Sequence, residues 1–237
     1  MKFKAVLFDL DGTLLPMDND LFVKVYFGKL GATLVELGMT PEVFKKALWS
    51  GIGNMQANDG RATNEQIFWE SFEAVSGKLP EKLRGGFDYF YENIFPSVEE
   101  VTGKTPISRM ALDFLHEKNI PCVLATAPVF PETATRQRAA WNNIRLEDFV
   151  LVTTFENSRH TKPSLDYYRD ILNELKLSPE QTLLIGNDAS DDLAARELGI
   201  TVYLITDHLI NRKGVDISAL PHGSYPEMLE YLKQAFS

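Results

Sequence analysis

The sequence predicts an α/β protein in which a parallel sheet is covered by helices and interrupted near its start by an all-helical insertion. Three observations carry this reading. From about residue 105 onward, short apolar runs that end in polar or turn residues alternate with helical periodicities. A lone strand-like run, Phe3 to Phe8, precedes a stretch from about Asp18 to Thr102 in which strand signals are missing. With 237 residues at 44% hydrophobic content, the chain can bury a sizeable core as one domain or as one domain with an insertion.

Phe3 to Phe8 is short, rich in β-formers and stops abruptly at Asp9, as a buried strand does on entering a loop. Leu21, Phe22, Val25, Tyr26, Leu30 and Leu34 then recur at helical spacing, so an amphipathic helix begins near Asn19 or Asp20. Thr40 followed by Pro41 is an N-cap with proline at the first helical position, opening a helix through Leu48. Ser50, Gly51, Ile52, Gly53 and Asn54 read as a flexible break. Further helices fit Thr63 to Ser76 and Pro80 to about Asn93. Thr105 and Pro106 repeat the helix-start signature ahead of an Ile107, Met110, Ala111, Phe114, Leu115 stripe. Beyond it come a strand at Ile120 to Thr126, a helix at Pro131 to Trp141, a strand at Phe149 to Thr154 and a helix at Ser164 to Leu175. A strand at Thr182 to Gly186, a helix at Asp191 to Leu198 and a strand at Thr201 to Ile205 complete the series, and the tail from Thr206 to His222 reads as irregular.

In such sheets ligands sit beyond the carboxyl ends of the strands, so the residues delivered there decide the chemistry. The first strand delivers Asp9, Leu10, Asp11, Gly12 and Thr13. Asp-Gly is a common hairpin turn, but no alternating partner strand follows, because Leu14, Leu15 and Pro16 run into helical sequence. If strand geometry persists, Asp9 and Asp11 face the same side, and two like charges so close call for a cation or a shared proton. One carboxylate can then attack an electrophilic phosphorus while the other manages the proton on the leaving oxygen, with Mg²⁺ suppressing their repulsion.

This Asp, any residue, Asp, Gly, Thr pattern after an N-terminal strand resembles motif I of the haloacid dehalogenase superfamily. The resemblance implies that Asp9 is the nucleophile and Asp11 the general acid and base, and a second Asp at that place resembles the superfamily's phosphatases and phosphomutases. Thr126, at the next strand end, supplies a hydroxyl, and the following backbone amide, that of Ala127, a second donor for a phosphate oxygen; this resembles motif II, although many family phosphatases carry Asn or another polar residue where Ala127 stands. Lys162 precedes a proline and a helix start, and resembles the motif III lysine that neutralises nucleophile and bound phosphate as a point charge. The run Gly186, Asn187, Asp188, Ala189, Ser190, Asp191, Asp192 carries more acid than one helix cap can use and resembles motif IV. Its register leaves two pairs open for the metal: Asp188 with Asp192, the preferred one, and Asn187 with Asp191. The implied Mg²⁺ site is thus Asp9, Asp11 through its carbonyl, Asp188 and Asp192.

The resemblance spans nearly the whole chain. It implies a Rossmann-like three-layer α/β/α core over residues 1–15 and 103–237, with residues 16–102 as a helical C1 cap. The expected activity is hydrolysis of a phosphomonoester through an aspartyl-phosphate, with β-phosphoglucomutase-like phosphoryl transfer as an alternative. A non-enzymatic phospho-acceptor of the receiver type is a remote third reading, since it places its Asp on a later strand and needs no cap. The expected partner is a small phosphorylated metabolite. A net charge of -9 speaks against a general nucleic-acid binder. Cys122 is the single cysteine, so neither an internal disulfide nor a cysteine-based metal site can form. No run approaches the length of a membrane span, and the expectation is a soluble cytoplasmic protein. Asp18, Asn54, Arg61 and Arg84 are polar candidates in the cap, while His160 and His208 have no partner at metal-ligand spacing.

Overall fold

A computed structural model of the chain describes residues 2–237. Its strands are β1 (Ala5–Phe8), β2 (Cys122–Leu124), β3 (Leu151–Val152), β4 (Thr182–Gly186), β5 (Thr201–Ile205) and β6 (His222–Gly223). They form one sheet in the order β3-β2-β1-β4-β5-β6, and every neighbouring pair runs parallel. β1 is central and wholly buried, flanked by β2 and β4.

Alternation along these strands divides the core in two. Val6, Phe8, Leu183, Ile185, Tyr203 and Ile205 enter one apolar cluster, and Leu7, Val123, Leu184, Val202 and Leu204 enter the other. On the first face pack α5 (Pro106–Glu117), through Ala111, Leu112 and Leu115, and α8 (Tyr225–Ala235), through Met228, Leu229 and Leu232. α6 (Glu132–Trp141) contributes Ala134, Ala139 and Trp141 to the same cluster. On the second face lies α7 (Leu165–Leu175), with Tyr167, Tyr168, Ile171 and Leu172 turned inward. A sheet covered on both faces explains why its strands are uniformly apolar instead of alternating with polar residues.

Between β1 and α5 the chain adds four α-helices and no strand to the sheet: α1 (Asn19–Glu36), α2 (Pro41–Gln56), α3 (Asn64–Ser76) and α4 (Glu81–Tyr89). Their starts are fixed by side-chain caps, Asp18 accepting from the Leu21 amide, Thr40 from Val43, and Thr63 forming a reciprocal capping box with Gln66. Phe22, Tyr26, Phe90 and Phe95 form an aromatic cluster in which ring centroids lie 5.6 to 6.4 Å apart. The insertion is tied at its base, where the Gly103 amide donates to the Pro16 carbonyl at 2.6 Å and Met17 bridges Thr102. It also docks on the sheet edge through Asn64, which is fully buried and donates to the carbonyls of Pro128 (3.1 Å) and His160 (3.3 Å).

Several elements depart from the sequence expectation. The break at Ser50 to Asn54 is absent: α2 runs on to Gln56, because a Cβ on Gly51 would stand 2.6 Å from the Phe68 ring, so that glycine is there to bring α2 against α3. The helix expected to reach Asn93 gives way at Phe90 to a π-helical turn, Phe90–Ile94, and then to a 3₁₀ run, Phe95–Val101, with Pro96 at its start. Leu193–Leu198 is 3₁₀ in place of α. The tail is not irregular to its end: His222–Gly223 is the sixth strand and leads into α8, opened by a Ser224 and Glu227 capping box that the sequence reading passed over.

Candidate active site

Asp9 leaves β1 still in the ladder, its amide donating to the Ile185 carbonyl of β4 at 2.9 Å. The chain then turns sharply: the amides of Thr13 and Leu15 both donate to the Leu10 carbonyl, and Gly12 takes φ +81°. Only glycine fits there, since a Cβ would also sit 2.1 Å from the Asn187 amide nitrogen. This turn separates the two carboxylates. Asp9 meets Lys162, and Asp11 meets Arg138 of α6.

Lys162 is 4% exposed, and its ammonium donates to Asp9 Oδ1 at 2.8 Å and to Asp192 Oδ1 at 2.6 Å. Asp192, 1% exposed, accepts through its other oxygen from the amides of Asn187 and Asp188, both at 3.0 Å. Gly186 makes room for it, because a Cβ there would lie 2.2 Å from Asp192 Oδ2. Burial works against the lysine's charge, but Asp192 and then Asp9 hold it, so Lys162 stays protonated well above its ordinary range. Burial, reinforced by the charges of Asp192 and Asp11 and opposed by Lys162, lifts Asp9 to about 7. Asp191 is lifted to about 6 by burial and by the neighbouring Asp188 and Asp192.

Thr126 ends β2's extension with its carbonyl pinned between the hydroxyls of Thr153 (2.7 Å) and Tyr167 (3.0 Å). Ala127 follows, half-buried, in the loop that Asn64 anchors through Pro128. Lys162 is joined by a cis peptide to Pro163, which directly precedes the Ser164 cap of α7. Asn187 lies across the first loop: it accepts from the Thr13 hydroxyl at 3.2 Å and donates to the His208 carbonyl at 2.7 Å. Asp188 accepts from the amides of Ser190 (2.6 Å) and Asp191 (2.9 Å) through Oδ1.

The structure therefore brings Asp9, Lys162 and Asp192 into direct contact and places Asn187 on the Asp9 to Thr13 loop. Asp192, expected as a metal ligand, has both its oxygens engaged here by Lys162 and two amides, and so anchors the lysine. Asp191, the alternative at that place, has its carbonyl rather than its carboxylate held, by the Tyr168 hydroxyl at 2.7 Å. Sequence reasoning passed over Arg138. Its signal lay in α6, where Ala134, Thr135, Arg138 and Ala139 recur on one side as the buried positions.

The donor set suits a hard divalent cation. Asp9, Asp11, Asp188, Asp191 and Asp192 share this strand edge with the two cations Lys162 and Arg138, and burial first, then the neighbouring carboxylates, raise Asp9 and Asp191. Among the described residues no three His, Cys, Asp or Glu side chains form a ready-made cluster. Mg²⁺ does not need one, since it takes one or two carboxylates and keeps several waters or phosphate oxygens.

A family profile described as haloacid dehalogenase-like hydrolase matches residues 3–199, and the chain belongs to that family of enzymes. Its fold is shared with a haloacid dehalogenase phosphatase from Thermococcus onnurineus, at 19% identity and TM-score 0.59 over 97% of this chain and 98% of that one. A provisionally named β-phosphoglucomutase from Thermotoga maritima has TM-score 0.58 at 22% identity, covering 98% and 99% of the two chains. A family enzyme from Bacteroides thetaiotaomicron, solved with magnesium and inorganic phosphate, has TM-score 0.52 at 18% identity, covering 92% and 98%. No curated protein sequence matches the chain. Among the described residues no helix is long and apolar enough to cross a membrane.

Proposed function

We propose that this hydrolase is a Mg²⁺-dependent phosphomonoester phosphatase that works through an aspartyl-phosphate on Asp9. The observation that carries the reading is the buried Lys162 ammonium held between Asp9 and Asp192 at 2.8 and 2.6 Å. A fixed, dehydrated cation beside a carboxylate at a sheet's carboxyl edge suits a transferring phosphoryl group, whose charge lies on its equatorial oxygens.

In the first step an Asp9 oxygen attacks phosphorus in line, the bond to the leaving oxygen breaks, and Asp11 gives that oxygen a proton. In the second, Asp11 takes a proton from water as the water oxygen attacks phosphorus, the bond to Asp9 breaks, and inorganic phosphate leaves. Lys162, the Thr126 hydroxyl and the Ala127 amide hold the equatorial oxygens throughout. Asp9, the Asp11 carbonyl and Asp188 are the donors that would hold Mg²⁺, which when bound would supply further positive charge to the phosphoryl group. Together these groups must remove on the order of 20 kcal/mol from a very slow hydrolysis.

The helical insertion, residues 16–102, serves as a cap over the core of residues 1–15 and 103–237, and the substrate is a small phosphorylated metabolite of the cytoplasm. The test is phosphate release from p-nitrophenyl phosphate and a panel of metabolite phosphates, with Mg²⁺ and with EDTA, beside Asp9→Asn. Release that needs Mg²⁺ and that Asp9→Asn lacks by at least about a thousand-fold is expected, because the nucleophile is gone. Transfer of phosphate between positions of one sugar without net release would favour the phosphomutase reading instead.

A further inference from the structure

Arg138 is the second cation of the site, and the mechanism above gives it no task. It is wholly buried, 0% exposed, which an arginine tolerates only when its donors are met. Its Nη1 donates to Asp11 Oδ2, its Nη2 to the Thr135 hydroxyl at 3.2 Å, and its Nε to the Ala134 carbonyl at 3.4 Å. The guanidinium lies 4.1 Å from the centroid of the Phe130 ring, on the loop that follows Thr126 and Ala127. Helix α6, through Ala134 and Thr135, and the Phe130 ring of the preceding loop thus hold the guanidinium and leave one edge of it to Asp11. The consequence appears on the other oxygen: Asp11 Oδ1 is buried and has no hydrogen-bond partner among the described residues. A buried carboxylate oxygen left alone costs free energy, and a reacting group arriving there relieves that cost.

We propose that Arg138 is a positioning residue that clamps Asp11 through Oδ2 and reserves Oδ1 as the atom that passes the proton to the leaving oxygen. The proposal rests on the phosphatase reading and adds to it a requirement on Arg138. With the clamp, the carboxyl group is confined to one orientation and proton transfer is aimed at the departing atom. Without it, Asp11 rotates freely at the foot of the cap, and the step suffers in proportion to how much the leaving group needs a proton.

That dependence separates a positioning role from a structural one. The measurement is kcat/KM, which reports the steps through transfer to Asp9, on a series of phosphates graded from p-nitrophenyl through phenyl to simple alkyl leaving groups. Arg138→Met should fall at least about ten-fold further on the alkyl phosphates than on p-nitrophenyl phosphate, since a positioned acid is worth roughly a hundred-fold or more where the leaving oxygen is basic. Arg138→Lys should restore part of that difference. Thr135→Val, which removes only the Nη2 prop, should shift the series in the same direction by a smaller factor, and it keeps the test open if Arg138→Met does not fold. Equal losses across the series, or no loss, would overturn the proposal. A wild-type protein that releases phosphate from none of these compounds would instead overturn the phosphatase reading on which it stands.

Discussion

Lys162 shows how much one side chain can hold in place. It stands between two carboxylates that are themselves almost out of contact with water, so Lys162→Met would leave Asp9 and Asp192 facing each other without a counter-charge. Removing one partner of such a buried arrangement costs about 3–5 kcal/mol. Thermal unfolding of Lys162→Met should show a loss approaching that size above pH 7, partly recovered at pH 5, where Asp9, raised further without the lysine, is protonated. At this scale the sequence was legible wherever spacing fixes position: Asp9, Asp11 and Thr126 each follow a strand within three residues, and Lys162 stands three residues before a helix. It was not legible where the choice depends on side-chain direction. Three acids crowd into Asp188 to Asp192, and only packing against Gly186 and Lys162 selects Asp192 as the one that turns inward. Arg138 was hidden for a related reason, because an arginine in a short helix reads as a solvated residue unless its partner across the fold is known.

Among the elements, the order of strands and helices in the core was legible because apolar runs and capping residues are local signals. The exceptions are elements whose form is set by a neighbour. Two glycines within five residues argue for a break by local preference, yet α2 continues through them because Gly51 lies against Phe68. Gly51→Ala tests this directly. In an exposed helix the change gains about 1 kcal/mol, whereas here the added methyl would crowd the Phe68 ring and cost about 1–3 kcal/mol. Chemical denaturation should therefore find Gly51→Ala destabilised, while Gly53→Ala, whose Cβ meets nothing within 4 Å, should be neutral or stabilised. β6 escaped notice because two residues carry no periodicity, and it exists only as an addition to β5.

Across the whole molecule, the burial of carboxylates beside one another at the sheet's carboxyl edge couples stability to pH and to metal. Asp9 rises from 3.8 to about 7 and Asp191 from 3.8 to about 6, so the folded protein binds these protons more tightly than the unfolded chain does. Stability of the metal-free protein should accordingly fall as pH rises from about 5 to about 7, with each group contributing at most about 1.4 kcal/mol per pH unit. Carboxylates held low by partners, such as Asp148 and Asp166, act below this window and do not mask it. Saturating Mg²⁺ should flatten or reverse the slope, because a cation that binds the ionised site stabilises it increasingly as the protons leave. Melting curves from pH 5 to 7.5, with EDTA and with Mg²⁺, would show this, and an unchanged slope would detach the metal from the aspartates named here. In the proposed mechanism Asp9 carries the phosphoryl group between the two halves of the reaction. The direct measurement is to quench turnover of p-nitrophenyl phosphate in acid, reduce the protein with borohydride and map its peptides. An aspartyl-phosphate is reduced to homoserine, so homoserine is expected at position 9 in the quenched sample and not in a control without substrate. Turnover that leaves Asp9 unmodified, or that marks Asp11 in its place, would contradict it.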